Sequence, residues 1–165
     1  MISFVRIDDR MIHGQTVTRW ALEFPCDGII AVNDAAANNP VLKAAYKGAA
    51  PEKKTFVWTL DHFKESMEKV LASKTNYFLI TKNPVDMKKI LVDFGFKPSS
   101  IKTVIVGPCN DRPGAVKLGN NQSITPEEAQ AIEDITKAGY SVEFALLKDN
   151  AIGNWSKFRS RFDLQ

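Results

Sequence analysis

The chain is 165 residues long, about one domain's worth and enough to bury a single sizeable core. With 44% hydrophobic and 25% charged residues, and only 9 Gly and 8 Pro, its composition excludes disordered and collagen-like classes. The 22 basic and 19 acidic side chains leave a formal charge of +3, far from the concentrated positive charge of a dedicated nucleic-acid binder, so no nucleic-acid partner is expected.

Ile2–Ile7 is short and rich in β-branched and aromatic residues and is predicted to be a strand; helix-compatible spacing follows over residues 14–24. An apolar run over 28–33 gives a second strand. Asn39-Pro40 then supplies a cap and a first-turn proline, with Val41, Leu42, Ala45, Tyr46 and Ala49 as the apolar stripe of the next helix. Lys54–Trp58 is the third strand, and Leu60, Phe63, Met67, Val70 and Leu71 recur near a 3.6-residue period. A fourth strand over 76–81 leads into a second start signal, Asn83-Pro84. The helix it opens carries Met87, Ile90, Leu91 and Phe94 and stops at Gly95. A fifth apolar run, 101–106, precedes a long loop over 107–119 with Asp111-Arg112 at its centre. Thr125-Pro126-Glu127-Glu128 has the capping-box form, its helix running to Gly139, and 141–147 reads as the final strand. The tail, 150–165, is expected to be a C-terminal helix or arm that packs on the core or makes a subunit contact, a homodimer included.

Alternating strands and amphipathic helices predict an α/β fold: a single domain with a mostly parallel open sheet of about six to seven strands and helices on both faces. In such sheets ligands bind beyond the carboxyl ends of the strands, which directs attention to residues 8–13, 33–39, 81–84 and 107–119. No apolar run reaches the roughly 18 to 20 residues that span a bilayer, and Arg6, Asp8 and Asp9 break up what a signal peptide would keep apolar. A cytoplasmic location is expected. Cys26 and Cys109 are too few and too far apart for a disulfide framework or a zinc site, so no metal is expected either.

Asp8-Asp9-Arg10-Met11-Ile12-His13-Gly14-Gln15 is the segment densest in reactive side chains, and it falls at the mouth of the sheet before a helix start. One reading is structural: the carboxylates cap the helix, Arg10 pairs with one of them, and His13 is a satisfied loop residue. The other is that a carboxylate accepts from one imidazole nitrogen and fixes the tautomer, leaving the second nitrogen as a nucleophile. Backbone N–H groups at the helix start and the Arg10 guanidinium would then receive a phosphoryl group.

The run 6–15, Arg-Ile-Asp-Asp-Arg-Met-Ile-His-Gly-Gln, resembles the active-site signature of enzyme IIB components of the mannose/fructose/sorbose class of the bacterial sugar phosphotransferase system (PTS). Val32-Asn33-Asp34, Ala37-Asn38, Ala49-Ala50-Pro51 and Asn83-Pro84 with Asp86 resemble that family in the same order. The resemblance implies a phosphoryl relay. His13 would be phosphorylated by a phosphohistidine on a IIA partner, at Nδ1, and would pass the group to a sugar entering through IIC and IID membrane components, to which the cytoplasmic domain attaches peripherally. Asp8, Arg10, Gly14 and Gln15 would orient or bind the phosphate, with Asp9 and Arg112 as further candidates; no cofactor is implied. Arg112 is read either as a second guanidinium for the phosphoryl group or as an exposed partner of Asp111. Met11 and Thr16 stand where the family usually has Leu and Val, both read as mild changes of packing, and the 107–119 loop also departs from the family pattern.

Two rivals belong to other classes. A phospho-accepting receiver domain would need an Asp ending the third strand and a Lys ending the fifth, where this chain has Trp58-Thr59 and Gly107. A small enzyme using a His13–Asp dyad on a free metabolite is compatible with the local residues. His62, on the polar side of its helix, is read as a surface histidine, and Cys109 as a packed thiol.

Overall fold

The computed structural model describes residues 1–165. Seven strands form one sheet in the order β3-β2-β4-β1-β5-β8-β9. They are β1 (Ile2–Ile7), β2 (Gly28–Val32), β3 (Lys54–Trp58), β4 (Tyr77–Thr81), β5 (Thr103–Val106), β8 (Ser141–Ala145) and β9 (Ala151–Asn154). Every neighbouring pair is parallel except β8 and β9. The predicted fold class is what the chain adopts.

Alternation along the strands divides the core. Ile30 and Val32 face a large cluster with Phe63 of α4 (Leu60–Ala72), Met87 of α5 (Pro84–Lys88), and Ile132 and Ile135 of α6 (Pro126–Lys137). Ile29 and Ala31 face a smaller cluster with Val17 and Trp20 of α1 (Gly14–Trp20). On β1, Val5 and Ile7 join the first cluster and Phe4 the second, so Arg6 and Asp8 also belong to the α1 side.

The caps read from the sequence are present: Asn39, Asn83 and Thr125 each accept first-turn N–H groups, and Thr125 with Glu128 completes the capping box. Thr59, which the sequence reading did not single out, caps α4 in the same way. Gly95 ends its helix with φ +69°, a conformation that glycine adopts at little cost, after α5 has widened into a π-turn over Lys89–Asp93.

Several expectations need correction. α1 stops at Trp20 instead of residue 24: Pro25 disfavours helix in the residue before it, and the chain leaves through irregular turns. A short helix, α2 (Asp34–Ala37), occupies the segment read as loop. α3 (Pro40–Ala49) buries none of its stripe, with Val41 78% exposed. α1 holds the centre of this face, and only Tyr46 and Ala49 of α3 reach the smaller cluster. The 107–119 loop ends in a strand: β6 (Val116–Gly119) forms a hairpin with β7 (Gln122–Ile124), turning at Asn120-Asn121. The strand read over 141–147 ends at Ala145, and the chain returns as β9. The tail is not one continuous helix, and it packs on the core. It supplies an edge strand and a four-residue helix, α7 (Trp155–Phe158), whose Trp155 and Phe158 rings pack on Phe144 at 6.1 and 5.2 Å between centroids.

Candidate functional site

β1 lies between β4 and β5, and the loop after it is tied to both. Asp8 N–H donates to Thr81 O (2.9 Å), Gly107 N–H to Ile7 O (2.7 Å) and Asp9 N–H to Pro108 O (2.9 Å). The loop turns on itself where Met11 N–H donates to Asp8 O at 2.9 Å. Met11 takes φ 57°, a left-handed conformation costly for a residue with a long side chain, and its side chain is buried. Burial of Met11 and Ile12 beside Phe4, Val17 and Trp20 offsets that strain and brings His13 to the mouth of the sheet as the N-cap of α1. Gly14 follows because a Cβ there would stand 2.6 Å from Ala49 O, so the start of α1 meets the end of α3 through glycine alone.

Arg10 pairs with one of the two carboxylates, Asp8, as one reading expected, but neither carboxylate caps α1 or serves His13. Asp8, 1% exposed, accepts from Arg6 Nε at 3.3 Å and from the Arg10 backbone N–H at 2.8 Å, and its Oδ1 lies 3.5 Å from Arg10 Nε. Asp9 accepts from Asn110 N–H at 2.7 Å, which fastens the 107–119 loop to the site loop. Burial foremost pushes the Asp9 carboxyl above its ordinary range, and the Asn110 bond opposes that shift. No carboxylate contacts His13, and none caps α1. Both expectations fail because Asp8 is consumed by two arginines, whereas Asp9 is tied through Oδ2 to the Asn110 N–H and its Oδ1 is enclosed without a partner.

Arg6 is the structural centre of the site. Its guanidinium, 2% exposed, reaches Asp8, donates to the carbonyls of Ala145 (3.1 Å) and Leu146 (2.9 Å), and lies 5.6 Å from the Trp20 ring centroid. Burial draws its pKa down while Asp8 holds it up, and a guanidinium stays charged throughout. Gly107 lets it pass, since a Cβ there would collide with the guanidinium. Trp20 Nε1 also donates to Leu146 O at 3.3 Å, so one carbonyl holds two sides of the site.

The His13 ring is half-buried and makes no hydrogen bond. Nδ1 is enclosed without a partner, whereas Nε2 reaches the surface. His13 opens on a cleft of about 380 Å³ lined by Arg10, Gln15, Thr16, Arg19 and Asn110 among others, with no carboxylate in its lining. Arg10, 43% exposed, donates to Thr16 Oγ1 at 3.2 Å, so Thr16 is not a mere packing change but a seat for this guanidinium. Gln15 is exposed.

Arg112 is turned elsewhere. Its guanidinium pairs with Glu128 and donates to the carbonyls of Asn110 and Ser123; Asp111 accepts only the Arg112 backbone N–H, at 3.1 Å. It lines a second cleft, of about 630 Å³, with Asp9, Lys82, Asp86, Glu127 and Glu128; Asn110 lines both clefts and stands between them. The structure thus gathers Asp8, Arg10, His13, Gly14 and Gln15, joins Asp9 through Asn110, and leaves Arg112 on the far side. His62 is exposed and stacks on Trp58 at 4.5 Å between centroids, as a surface histidine. Cys109 is buried, and burial pushes its thiol up to about 12, so it is no thiolate near neutral pH.

Sequence reasoning missed Arg6, Thr16 and Arg19. Arg6 had a signal, a charge inside an apolar strand that must find a partner. For Thr16 and Arg19 the signal was helical spacing: Arg19 falls three and four residues after Thr16 and Gln15, on the same face.

The description "PTS system sorbose subfamily IIB component" fits residues 2–164 of the chain. The chain belongs to that family. Among related sequences, the sorbose-specific EIIB component of Klebsiella pneumoniae is 31% identical over 156 residues, covering 88% of this chain and 87% of its own. The fructose-specific EIIB component of Bacillus subtilis is 28% identical, with 91% and 90% covered. The mannose-specific EIIAB component of Escherichia coli K12 is 30% identical, and the match covers 87% of this IIB chain but only 43% of that longer relative. The crystal structure of the IIBSor domain of the Klebsiella pneumoniae sorbose permease superposes with a TM-score of 0.86 at 27% identity, 97% of each chain being covered. As in that IIB domain, one α/β unit accounts for nearly the whole chain, and no helix is long and apolar enough to cross a membrane.

Proposed function

We propose that this IIB component relays a phosphoryl group: His13 accepts it from a phosphohistidine on a IIA partner and yields it to a sugar entering through IIC and IID. The observation that supports this most is an imidazole free of hydrogen bonds at the mouth of a cleft that holds a guanidinium and no carboxylate. A ring nitrogen of His13 attacks phosphorus, the N–P bond of the donor breaks, and its electron pair returns to the donor imidazole. In the second transfer a sugar hydroxyl attacks, the His13 N–P bond breaks, and the hydroxyl proton is released. Transfer through Nδ1 requires the ring to turn about its Cβ–Cγ bond, and no hydrogen bond to either nitrogen resists that turn.

Asp8 acts by holding Arg10, not by touching the imidazole. Arg10 neutralises charge on the phosphoryl oxygens, and Gly14 and Gln15 present backbone N–H groups at the start of α1. That helix has seven residues, so its dipole is short and the guanidinium carries the larger share of charge stabilisation. The reading calls for no cofactor, because donor and acceptor are both imidazoles and the barrier falls by positioning and charge neutralisation. The EIIAB name of the Escherichia coli relative supports a IIA partner. On this reading the domain works in the cytoplasm, peripheral to the IIC and IID membrane components.

The test is mass measurement of the intact chain at alkaline pH, where phosphohistidine survives. The chain is incubated with phosphoenolpyruvate, the general phosphotransferase proteins and a cognate IIA. One phosphoryl group is expected, and none when IIA is omitted; an unmodified chain beside fully phosphorylated IIA would sink the reading. Arg10→Ala is expected to slow uptake about ten- to hundred-fold, the rate equivalent of about 1.5–3 kcal/mol for a charge-assisted hydrogen bond. Thr16→Val, which keeps the shape and deletes the acceptor, is expected to slow it about three- to ten-fold, with Thr16→Ser restoring the rate. Equal rates for wild type and Thr16→Val would show that Arg10 needs no seat.

A further inference from the structure

The geometry points to Arg19 as a second phosphate-binding residue of the His13 cleft, an inference that rests on the relay reading above. Arg19 stands in the last turn of α1, is exposed, and forms no ion pair or side-chain hydrogen bond, although the chain's other arginines, apart from Arg161, each pair with a carboxylate. A guanidinium left free at the rim of a cleft is unusual in a domain that spends its others on specific partners.

Its position on the helix brings it toward His13. Arg19 shares a face with Gln15 and Thr16, one turn away, and side chains on a helix lean toward its N-terminus, where His13 sits. From His13 to Arg19 is six residues, roughly 9 Å along the axis, which a long side chain leaning back and a phosphoryl group projecting from the ring close from opposite ends. The cleft lining contributes two guanidiniums, Arg10 and Arg19, and no carboxylate. Arg10 is fixed by Asp8 and Thr16; Arg19 has no tether, so it folds onto the anion after arrival and releases it on departure.

The test avoids dependence on a donor protein. Phosphoramidate phosphorylates histidine directly: the His13 nitrogen attacks phosphorus, the P–N bond of the reagent breaks and ammonia leaves. The His62→Ala background removes the other imidazole. Phosphorus NMR then follows the second ionisation of phospho-His13 with pH, alongside the rate of transfer from phospho-IIA. A nearby cation favours the dianion, so Arg19→Gln is expected to raise the ionisation midpoint by about half a pH unit, and Arg19→Lys to leave it near the wild-type value. Transfer should slow in Arg19→Gln and recover in Arg19→Lys.

A midpoint unmoved by Arg19→Gln overturns the assignment while leaving the relay standing. Equal shifts in Arg19→Gln and Arg19→Lys overturn it too, because they would mark a structural effect of the long side chain instead of its charge. Failure of phosphoramidate to label His13 shows that the cleft does not admit the group. Normal phosphoramidate labelling with no uptake from phospho-IIA, in contrast, refutes the relay and leaves Arg19 as an anion-binding residue.

Discussion

Replacing His13 by alanine is expected to abolish phosphoryl uptake from phospho-IIA and to leave the domain folded. The side chain makes no hydrogen bond, does not cap α1, and encloses an Nδ1 without a partner, so its removal takes away a polar atom that the fold does not satisfy. A change in stability of no more than about 1 kcal/mol is expected in urea denaturation, in the range of substitutions that break no buried contact. The loss of uptake should be complete, since no other unpaired imidazole or ionised thiol lies in the cleft. His62→Ala is the matched control: it loses only the stack on Trp58 and should be labelled like wild type. A phosphoryl group retained by His13→Ala would assign the chemistry to another residue.

The second large effect concerns Arg6. Arg6→Met is expected to cost about 3–5 kcal/mol, the usual penalty for removing one partner of a buried ion pair. Asp8 would remain enclosed with its main counter-charge gone, and the carbonyls of Ala145 and Leu146 would each lose a donor. Urea denaturation followed by tryptophan fluorescence reads the loss, and Trp20 reports locally because its ring lies over the guanidinium. Arg6→Lys keeps the charge but not the planar fork and should fall between methionine and wild type. A cost below about 1 kcal/mol for Arg6→Met would place this pair with exposed ones, against its burial.

These two residues show what the sequence made legible. His13 was readable because its neighbours Asp8, Arg10 and Gly14 lie within a few positions, and the strand before them sets where the segment must fall. The same is true of Asn39, Asn83 and Thr125, whose capping partners are two or three residues away. Arg6 was not readable as the centre of the site, because its carbonyl partners are 139 and 140 positions distant and come together only when β8 takes its place beside β5. The Asp8–His13 contact failed for a related reason. From the sequence each carboxylate is free to serve the imidazole, and only the fold shows that Arg6 and Asn110 claim them first. α3 carries a sound amphipathic stripe, yet periodicity says nothing of how much sheet lies beneath it. The β6–β7 hairpin is not legible because two strands of four and three residues give little pattern, although Gly119 at the end of β6 and Asn120-Asn121 after it are turn-forming sequence.

The ridge of Asp9 and Asn110 separates two clefts of unlike charge. On one side stand Arg10 and Arg19; on the other, Asp9, Asp86, Glu127 and Glu128 outnumber Lys82 and an Arg112 already committed to Glu128. In the proposed relay, a donor carrying a phosphate dianion would feel this contrast over a screening length of about 8–10 Å, before any side chains meet. Approached the wrong way round, the dianion faces carboxylates and is turned back; approached the right way, it is drawn toward the imidazole. This edge of the sheet therefore has a handedness in its electric field, one that in the proposed relay would sort the orientations of a rotating donor during encounter and spare the binding surface from having to discriminate among them by shape alone.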